Sequence, residues 1–409
     1  MSYARALQCR KCGREYHLEP INLCDFCFSP LEVVYDYKTM SRSVGKEKIA
    51  SGPPSMWRYR SMLPVDGEVV DIGTGFTPLV KADNLGRELG LGELYIKNDC
   101  VNPTHSFKDR VVSVAITKAK EFGFSTVACA STGNLAASVA AHAAKAHLKS
   151  FVFIPHDIEK SKMISIAIYN PTLVAVQGSY DDVNRLCSNL VGRYDWGFIN
   201  INLRPYYAEG SKTLAYEICE QLGWRIPDCI VAPAASGLLF TRLWKGLEEL
   251  SMLRLVGPIN THMYLAQASG SSPIVNAFEA GALHIHPVKP STIAKSIAIG
   301  NPADGEYALK AARVSGGAAS AVSDEEIVDG MKLLAQTEGI FAETAGGVVI
   351  GVLKKLVASG TIKKNDLTVA VITASGLKTQ EAVANVVSPF IVEPTIESFE
   401  EVLGERAKA

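Results

Sequence analysis

From about residue 67 onward, short apolar runs alternate with longer helix-like stretches, and no other feature of the chain constrains its fold as strongly. The runs are LYIKN, TVACA, FVFIP, TLVAVQ, CIVAPA and LTVAVITA. Among them lie FKDRVVSVAITKAKEF, NLAASVAAHAAKA, GSKTLAYEICEQLG, LLFTRLWKGLEEL and GGVVIGVLKKLVASG. Strand, helix, strand at this spacing predicts parallel sheets with both faces covered. Ligands of such sheets bind at the carboxyl ends of strands, where strand gives way to helix. Those turns are the places to look for function. A chain of 409 residues is too long for one simple core, so two or three folding units are expected.

Charge and hydropathy narrow the possible partners. There are 41 basic and 42 acidic side chains, a net charge of −1, and neither a nucleic acid nor an acidic membrane surface is implied. Apolar runs are broken by Gly, Pro or charge well before the length of a membrane span. The opening MSYARALQCRKC has no apolar signal core, so the expectation is a cytoplasmic protein. Five scattered cysteines, Cys100, Cys129, Cys187, Cys219 and Cys229, then read as free thiols buried as small apolar side chains.

The other four cysteines fall together in CRKCGREYHLEPINLCDFC, as the pairs Cys9/Cys12 and Cys24/Cys27. Two such knuckles can surround a zinc ion, and metal binding can fold a segment too small to hold a core. Four thiolates leave no open position, so this metal is expected to be structural. His17 lies between the pairs as a possible competitor. Gly13 suits the tight turn after the first pair, whereas Phe28 in the matching place is less typical. The alternatives are two disulfides or accidental spacing. Residues 1–45 are read as a zinc-ribbon-like segment, followed by the polar linker KTMSRSVGKEKIASGPPSM; the closing FEEVLGERAKA reads as a surface helix.

Four strand-to-helix turns carry candidate chemistry. In NPTHSFKDR, Lys108 sits between Phe107 and Asp109 at the head of an apolar helix. Desolvation there would lower its pKa and leave a nucleophilic amine, suited to a Schiff base with an aldehyde cofactor. The alternative is a surface ion pair with Asp109. In CASTGN, Ser131, Thr132 and Gly133 precede an alanine-rich helix and suit an anion, or are an ordinary N-cap. In CIVAPAASGLLF, the small residues Ala235, Ser236 and Gly237 let amides close around a phosphate. In LTVAVITASGLK, Thr373 or Ser375 can meet a cofactor ring or cap the turn.

Taken in order, NPTHSFKDR, ASTGNLAASVAAHAA, YAEGSKTLAYEI, IAIGNPADG, TEGIFAETAGG and TASGLK resemble the threonine synthases. These are tryptophan synthase β-like, fold type II pyridoxal phosphate enzymes. The resemblance covers the chain beyond the linker, and some relatives also begin with a zinc-ribbon-like segment. It implies an α/β fold of two three-layer domains with parallel-rich sheets and the active site between them. The large domain would comprise 46–110 and 206–409, and the small mobile domain 111–205. Lys108 is implied to hold the cofactor aldehyde, Asn134 to bond its phenolic oxygen, and Thr373 to face the pyridine nitrogen. Ala235, Ser236, Gly237 and Leu238 fall on the cofactor-phosphate loop. Ser131, Thr132 and Gly133 fall on the loop that grips the amino-acid carboxylate. Two departures are the glycine-poor AASGLL loop and Leu135, where some relatives place a threonine.

The implied reaction turns O-phospho-L-homoserine and water into L-threonine and phosphate, the last step of threonine biosynthesis. Lys108, once displaced by the substrate amine, would serve as general base. Asn202, Arg204 and Lys212 are candidates for the substrate phosphate, with a surface ion pair as the bland reading of Arg204. His105 reads as a turn residue, and Asp109 and Glu343 as lesser candidates. A homodimer is the family expectation. Rivals are a threonine or serine dehydratase, a cysteate- or cysteine-synthase-like enzyme, and a non-catalytic binding protein.

Overall fold

The computed structural model describes residues 2–131, 133–158, 160–178, 180–386 and 389–406. Thirteen strands form three sheets among the described residues. The first is antiparallel: β1 (Ala4–Cys9) lies between β2 (Glu15–Tyr16) and β3 (Leu31–Tyr35). Next along the chain come β4 (Leu79–Lys81), β5 (Leu94–Asn98), β6 (Thr126–Ala130), β7 (Lys149–Pro155), β8 (Thr172–Val176) and β9 (Gly197–Phe198). The last are β10 (Cys229–Pro233), β11 (His262–Ala268), β12 (Ala318–Val322) and β13 (Thr368–Ile372).

The largest sheet has the order β12-β11-β10-β13-β5-β4 and is parallel except for β4, which runs antiparallel along β5. The third, β8-β7-β6-β9, is parallel throughout. Every residue of β6, β10 and β13 is buried, as helices on both faces require. That is why these strands show as unbroken apolar runs rather than alternating ones. Three strands of the large sheet lack this signal, among them the three-residue β4 at one edge. β11 mixes His262 and Gln267 into its run, and β12 (AASAV) is built from small residues at the sheet edge.

The expected linker is a packed wall of the core instead. Residues 38–56 carry parts of two short helices, and a 3-10 helix follows at Met56–Met62. Met40, Val44, Ile49, Met56 and Trp57 are buried, and Trp57 Nε1 donates to Ser113 Oγ at 3.0 Å. Single apolar residues spaced among polar ones gave no run to recognise.

The ribbon packs onto the body. Leu7, Leu31 and Val33 join the main hydrophobic cluster with residues of the Leu238–Met252 helix. Tyr35 Oη donates to Glu209 Oε2 at 2.7 Å, and Arg242 Nη1 to Glu32 Oε2 at 3.0 Å. Among the described residues, no helix is long and apolar enough to cross a membrane. The closing helix, Ile396–Arg406, lies on the surface.

Candidate active site

Lys108 opens the helix Lys108–Glu121, and two features fix where that helix begins. The Phe107 amide donates to Thr373 O at 2.8 Å, and Ser106 bridges Ala374, so the lysine turn is stitched to the end of β13. Two residues into the helix, Arg110 is fully buried between two carboxylates. Its Nε donates to Asp99 Oδ2 at 2.7 Å and its Nη2 to Glu217 Oε2 at 2.7 Å. Lys97 Nζ adds a third contact, 2.7 Å from Glu217 Oε2. This clamp ties the helix start to β5 and to the helix Thr213–Gln221.

The ion pair with Asp109 is excluded by geometry. Asp109 is buried, and its carboxylate accepts from Thr104 N and Thr104 Oγ1, both at 2.7 Å, and from Ser138 Oγ at 2.6 Å. Lys108 Nζ turns the other way, donating to Tyr207 Oη at 3.2 Å and lying 4.6 Å above the Phe107 ring. His105 is an exposed turn residue with φ 59°, and its carbonyl accepts from Ser375 N.

Lys108 lines a cleft of about 1140 Å3, its open mouth included, room enough for a cofactor and a small substrate. Ser131, Asn134, Arg204, Tyr207, Glu343 and Thr373 line it too. Ser131 caps the helix Asn134–Lys145, its Oγ accepting from Gly133 N and Ala136 N, each at 3.0 Å. The Asn134 and Leu135 amides at this helix start have no acceptor among the described residues. Thr132 lies outside the described residues.

A second helix start faces the cleft where β10 turns through Ala235, Ser236 and Gly237 into the helix Leu238–Met252. The amides of residues 235–237 also lack acceptors among the described residues. Gly237 has φ 89°, and a Cβ there would come within 2.7 Å of Asp304 O, so only glycine fits. Free amides at a helix N-terminus attract an anion.

Asn134 Nδ2 donates to both oxygens of Glu343, at 3.2 and 3.1 Å, while its Oδ1 is buried without a partner. Burial pushes the Glu343 carboxyl up, and Ser296 Oγ also donates to it. An amine free of any carboxylate, two sets of unpaired amides and an orphaned amide oxygen suit a phosphorylated aldehyde with polar ring substituents.

Two substrate candidates need correction. Lys212 is fully buried and does not line the cleft; its Nζ is held by Glu209 at 2.6 Å and by Glu249 at 2.9 Å. Asn202 Oδ1 accepts from Phe198 N at 2.8 Å and its Nδ2 donates to Trp196 O, so the amide braces its own loop and does not line the cleft. Arg204 does line the cleft and is paired with Asp304. Tyr207, one helical turn beyond Arg204 in the helix Arg204–Glu209, carries no sequence signal of its own. It lay inside the quoted YAEGSKT segment, but nothing local indicates which face of that helix meets the lysine.

The ribbon thiols also converge. The Sγ atoms of Cys9 and Cys27 are 3.4 Å apart, those of Cys12 and Cys24 are 3.7 Å apart, and all four lie within 4.8 Å of one another. Four sulfurs about 2.3 Å from one zinc would be roughly 3.8 Å apart, so the thiols suit a tetrahedral ion and are not joined as disulfides. Gly13 (φ 75°) and Phe28 (φ 56°) occupy equivalent left-handed positions after the two pairs. The five scattered cysteines are buried free thiols, and burial pushes Cys219 and Cys229 up to about 12.

The fold and cleft are those of an enzyme, with unpaired amides at two helix starts suited to an anionic group beside a half-buried lysine. Residues 70–374 match the family described as pyridoxal-phosphate dependent enzyme, and the chain belongs to that family, with its fold type II architecture. Within it, the chain is similar to threonine synthase of Methanocaldococcus jannaschii, with 40% identity over 92% of this chain and 93% of that one. It is 38% identical to threonine synthase of Methanosarcina acetivorans, over 98% of this chain and 99% of that protein. Diaminopropionate ammonia lyase from Escherichia coli shares the fold, with a TM-score of 0.65 at 17% identity over 78% of this chain and 94% of that one.

Proposed function

We propose that this chain is a threonine synthase, a lyase that turns O-phospho-L-homoserine and water into L-threonine and phosphate. The observation that carries the reading is the Lys108 amine, free of Asp109, in a cleft flanked by two helix starts with unpaired amides. Pyridoxal phosphate held there supplies an electron sink for charge developing next to the amino-bearing carbon. Lys108 holds its aldehyde, the amides of Ala235, Ser236, Gly237 and Leu238 hold its phosphate, and Asn134 and Thr373 hold its ring.

The chain's own groups then divide the remaining work. Ser131, Thr132 and Gly133, with the Asn134 and Leu135 amides, hold the substrate carboxylate. Arg204 meets the phosphate at the other end. Lys108, once freed, takes the proton from the α-carbon and moves protons along the chain, with the Tyr207 hydroxyl at its ammonium as relay. The γ-oxygen departs with the phosphoryl group, and water adds at the β-carbon. Closure of a small domain, 111–205, over the large one, 46–110 with 206–409, keeps out stray water. The reading includes a cytoplasmic homodimer.

With phosphohomoserine, phosphoserine, threonine and serine each offered alone, only phosphohomoserine should give phosphate together with threonine. Keto acid from threonine, with no threonine made from phosphohomoserine, would replace this assignment by a dehydratase.

The ribbon cysteines Cys9, Cys12, Cys24 and Cys27 hold one structural zinc. Metal analysis should find about one zinc per chain, and chelation should lower the melting temperature. Folded, active protein without metal would refute the site.

A further inference from the structure

Asp304 is where the ribbon, the cofactor-phosphate loop and the substrate end of the cleft meet. Its carboxylate, 2% exposed, is shared by two arginines from opposite sides. Arg10 Nη1 donates to Oδ1 at 2.7 Å, and Arg204 Nη2 donates to Oδ2. The Asp304 amide donates to Ser236 O at 2.8 Å, and its carbonyl fills the space beside Gly237. Arg10 lies inside the first cysteine knuckle, Cys9-Arg-Lys-Cys12. Its amide donates to Pro30 O, and its guanidinium sits 3.5 Å from the centre of the Tyr307 ring on the helix Gly305–Val314. Arg204 lines the cleft, whereas Arg10 does not.

One buried carboxylate is bonded by two guanidinium groups, and the further charges acting on Arg10, those of Arg242 and Glu32, are opposite in sign, so the trio keeps a surplus positive charge; the group facing the cleft is Arg204. Without Arg10, the buried carboxylate and the partly exposed Arg204 would form a one-to-one pair. Attraction in a low-dielectric site would then hold Arg204 more tightly and cancel its charge. We propose that Arg10 is a positioning residue through which the four-cysteine ribbon sets the affinity of the cleft for its substrate's phosphate. Arg10 occupies half of Asp304, so Arg204 stays held at the cleft wall with charge to offer. The inference rests on the reading above that the cleft takes a phosphorylated substrate.

The test uses the full-length, zinc- and cofactor-loaded protein. Inorganic phosphate is titrated in, and binding is followed by the change in the cofactor absorption band. Separately, KM and kcat are measured with phosphohomoserine. Arg10→Gln should weaken inorganic phosphate binding by about tenfold, the scale of one lost charge-assisted contact. KM should rise by a similar factor and by more than kcat falls, with zinc content and the unliganded absorption band unchanged. Arg10→Lys, which keeps the charge, should restore most of the affinity. In an Asp304→Asn background the shared carboxylate is gone, and Arg10→Gln should change phosphate affinity by less than about twofold.

A purely structural role for Arg10 would lower the melting temperature while leaving phosphate affinity unchanged in both backgrounds. That result overturns the proposal, as does a wild-type protein that does not bind inorganic phosphate. A wild type that binds phosphate but does not convert phosphohomoserine overturns the assigned reaction, while the Arg10 comparison still decides this inference.

Discussion

Lys108→Ala is expected to give a colourless protein whose turnover falls by on the order of a thousandfold or more, since one amine both anchors the cofactor and moves protons. The wild-type chain should absorb near ~410–420 nm, as a protonated Schiff base on lysine does. Borohydride should fix the cofactor on the peptide that carries Lys108. A second amine makes this a real test, because Lys295 lines the same cleft. Label on Lys295, or a Lys108→Ala protein that keeps its colour, would move the anchor. Folding should hardly respond. Lys108 is half-buried and its amine contacts a hydroxyl and an aromatic ring rather than a carboxylate, so a change of about 1 kcal/mol or less is expected. Lost activity with retained stability separates a chemical role from a structural one.

Arg110→Met should do the opposite, lowering stability by about 3–5 kcal/mol, because a buried charge cluster loses its central cation. Asp99 and Glu217 are both fully buried around Arg110, and Lys97 remains for Glu217 alone. Arg110 and Lys97 hold the Glu217 carboxyl down at about 2 from its ordinary 4.5, against the desolvation that would raise it. A depressed carboxyl stabilises the fold fully above its unfolded value and loses that contribution as pH falls through its folded value. Wild-type stability should therefore drop between about pH 4.5 and 2, by about 3 kcal/mol from this group. Urea titrations at several pH values would show it. Arg110→Met should start lower and fall less steeply, because Glu217 then has less depression to lose. A loss under about 1 kcal/mol at pH 7 would mean that the cluster relaxes or admits water. Activity should also drop in part, since Arg110 anchors the turn that presents Lys108.

The four turns picked out from sequence do lie around one cleft, and the reason is topological. β5, β10 and β13 run parallel in one sheet, so their turns emerge at the same edge, whereas β6 belongs to the other sheet and its turn reaches the cleft only through the packing of the two sheets. Local patterns are sufficient to find β5, β6, β10 and β13 and the helices that follow the first three. Lys212 and Asn202 show where that reasoning stops. Both sit in segments that approach the cleft, yet one side chain points into a cluster of carboxylates and the other into its own loop. A helix presents several faces, and which face meets the lysine depends on how the helix packs. For the same reason Tyr207 and Asp304 passed without a role, although both lie in quoted motifs.

Read alone, the sequence determined the layered α/β class, the pairing of four cysteines in two knuckles, and the lysine at the head of an apolar helix. Each follows from spacing within a few residues, where covalent geometry and burial leave few choices. Only the tertiary structure decided that Asp109 belongs to Thr104 and Ser138, that Asn134 meets Glu343, and that Arg10 and Arg204 share Asp304. Partners 209 and 294 residues apart in the chain are matched by packing and by the demand that buried charges find each other, and no local pattern encodes that pairing.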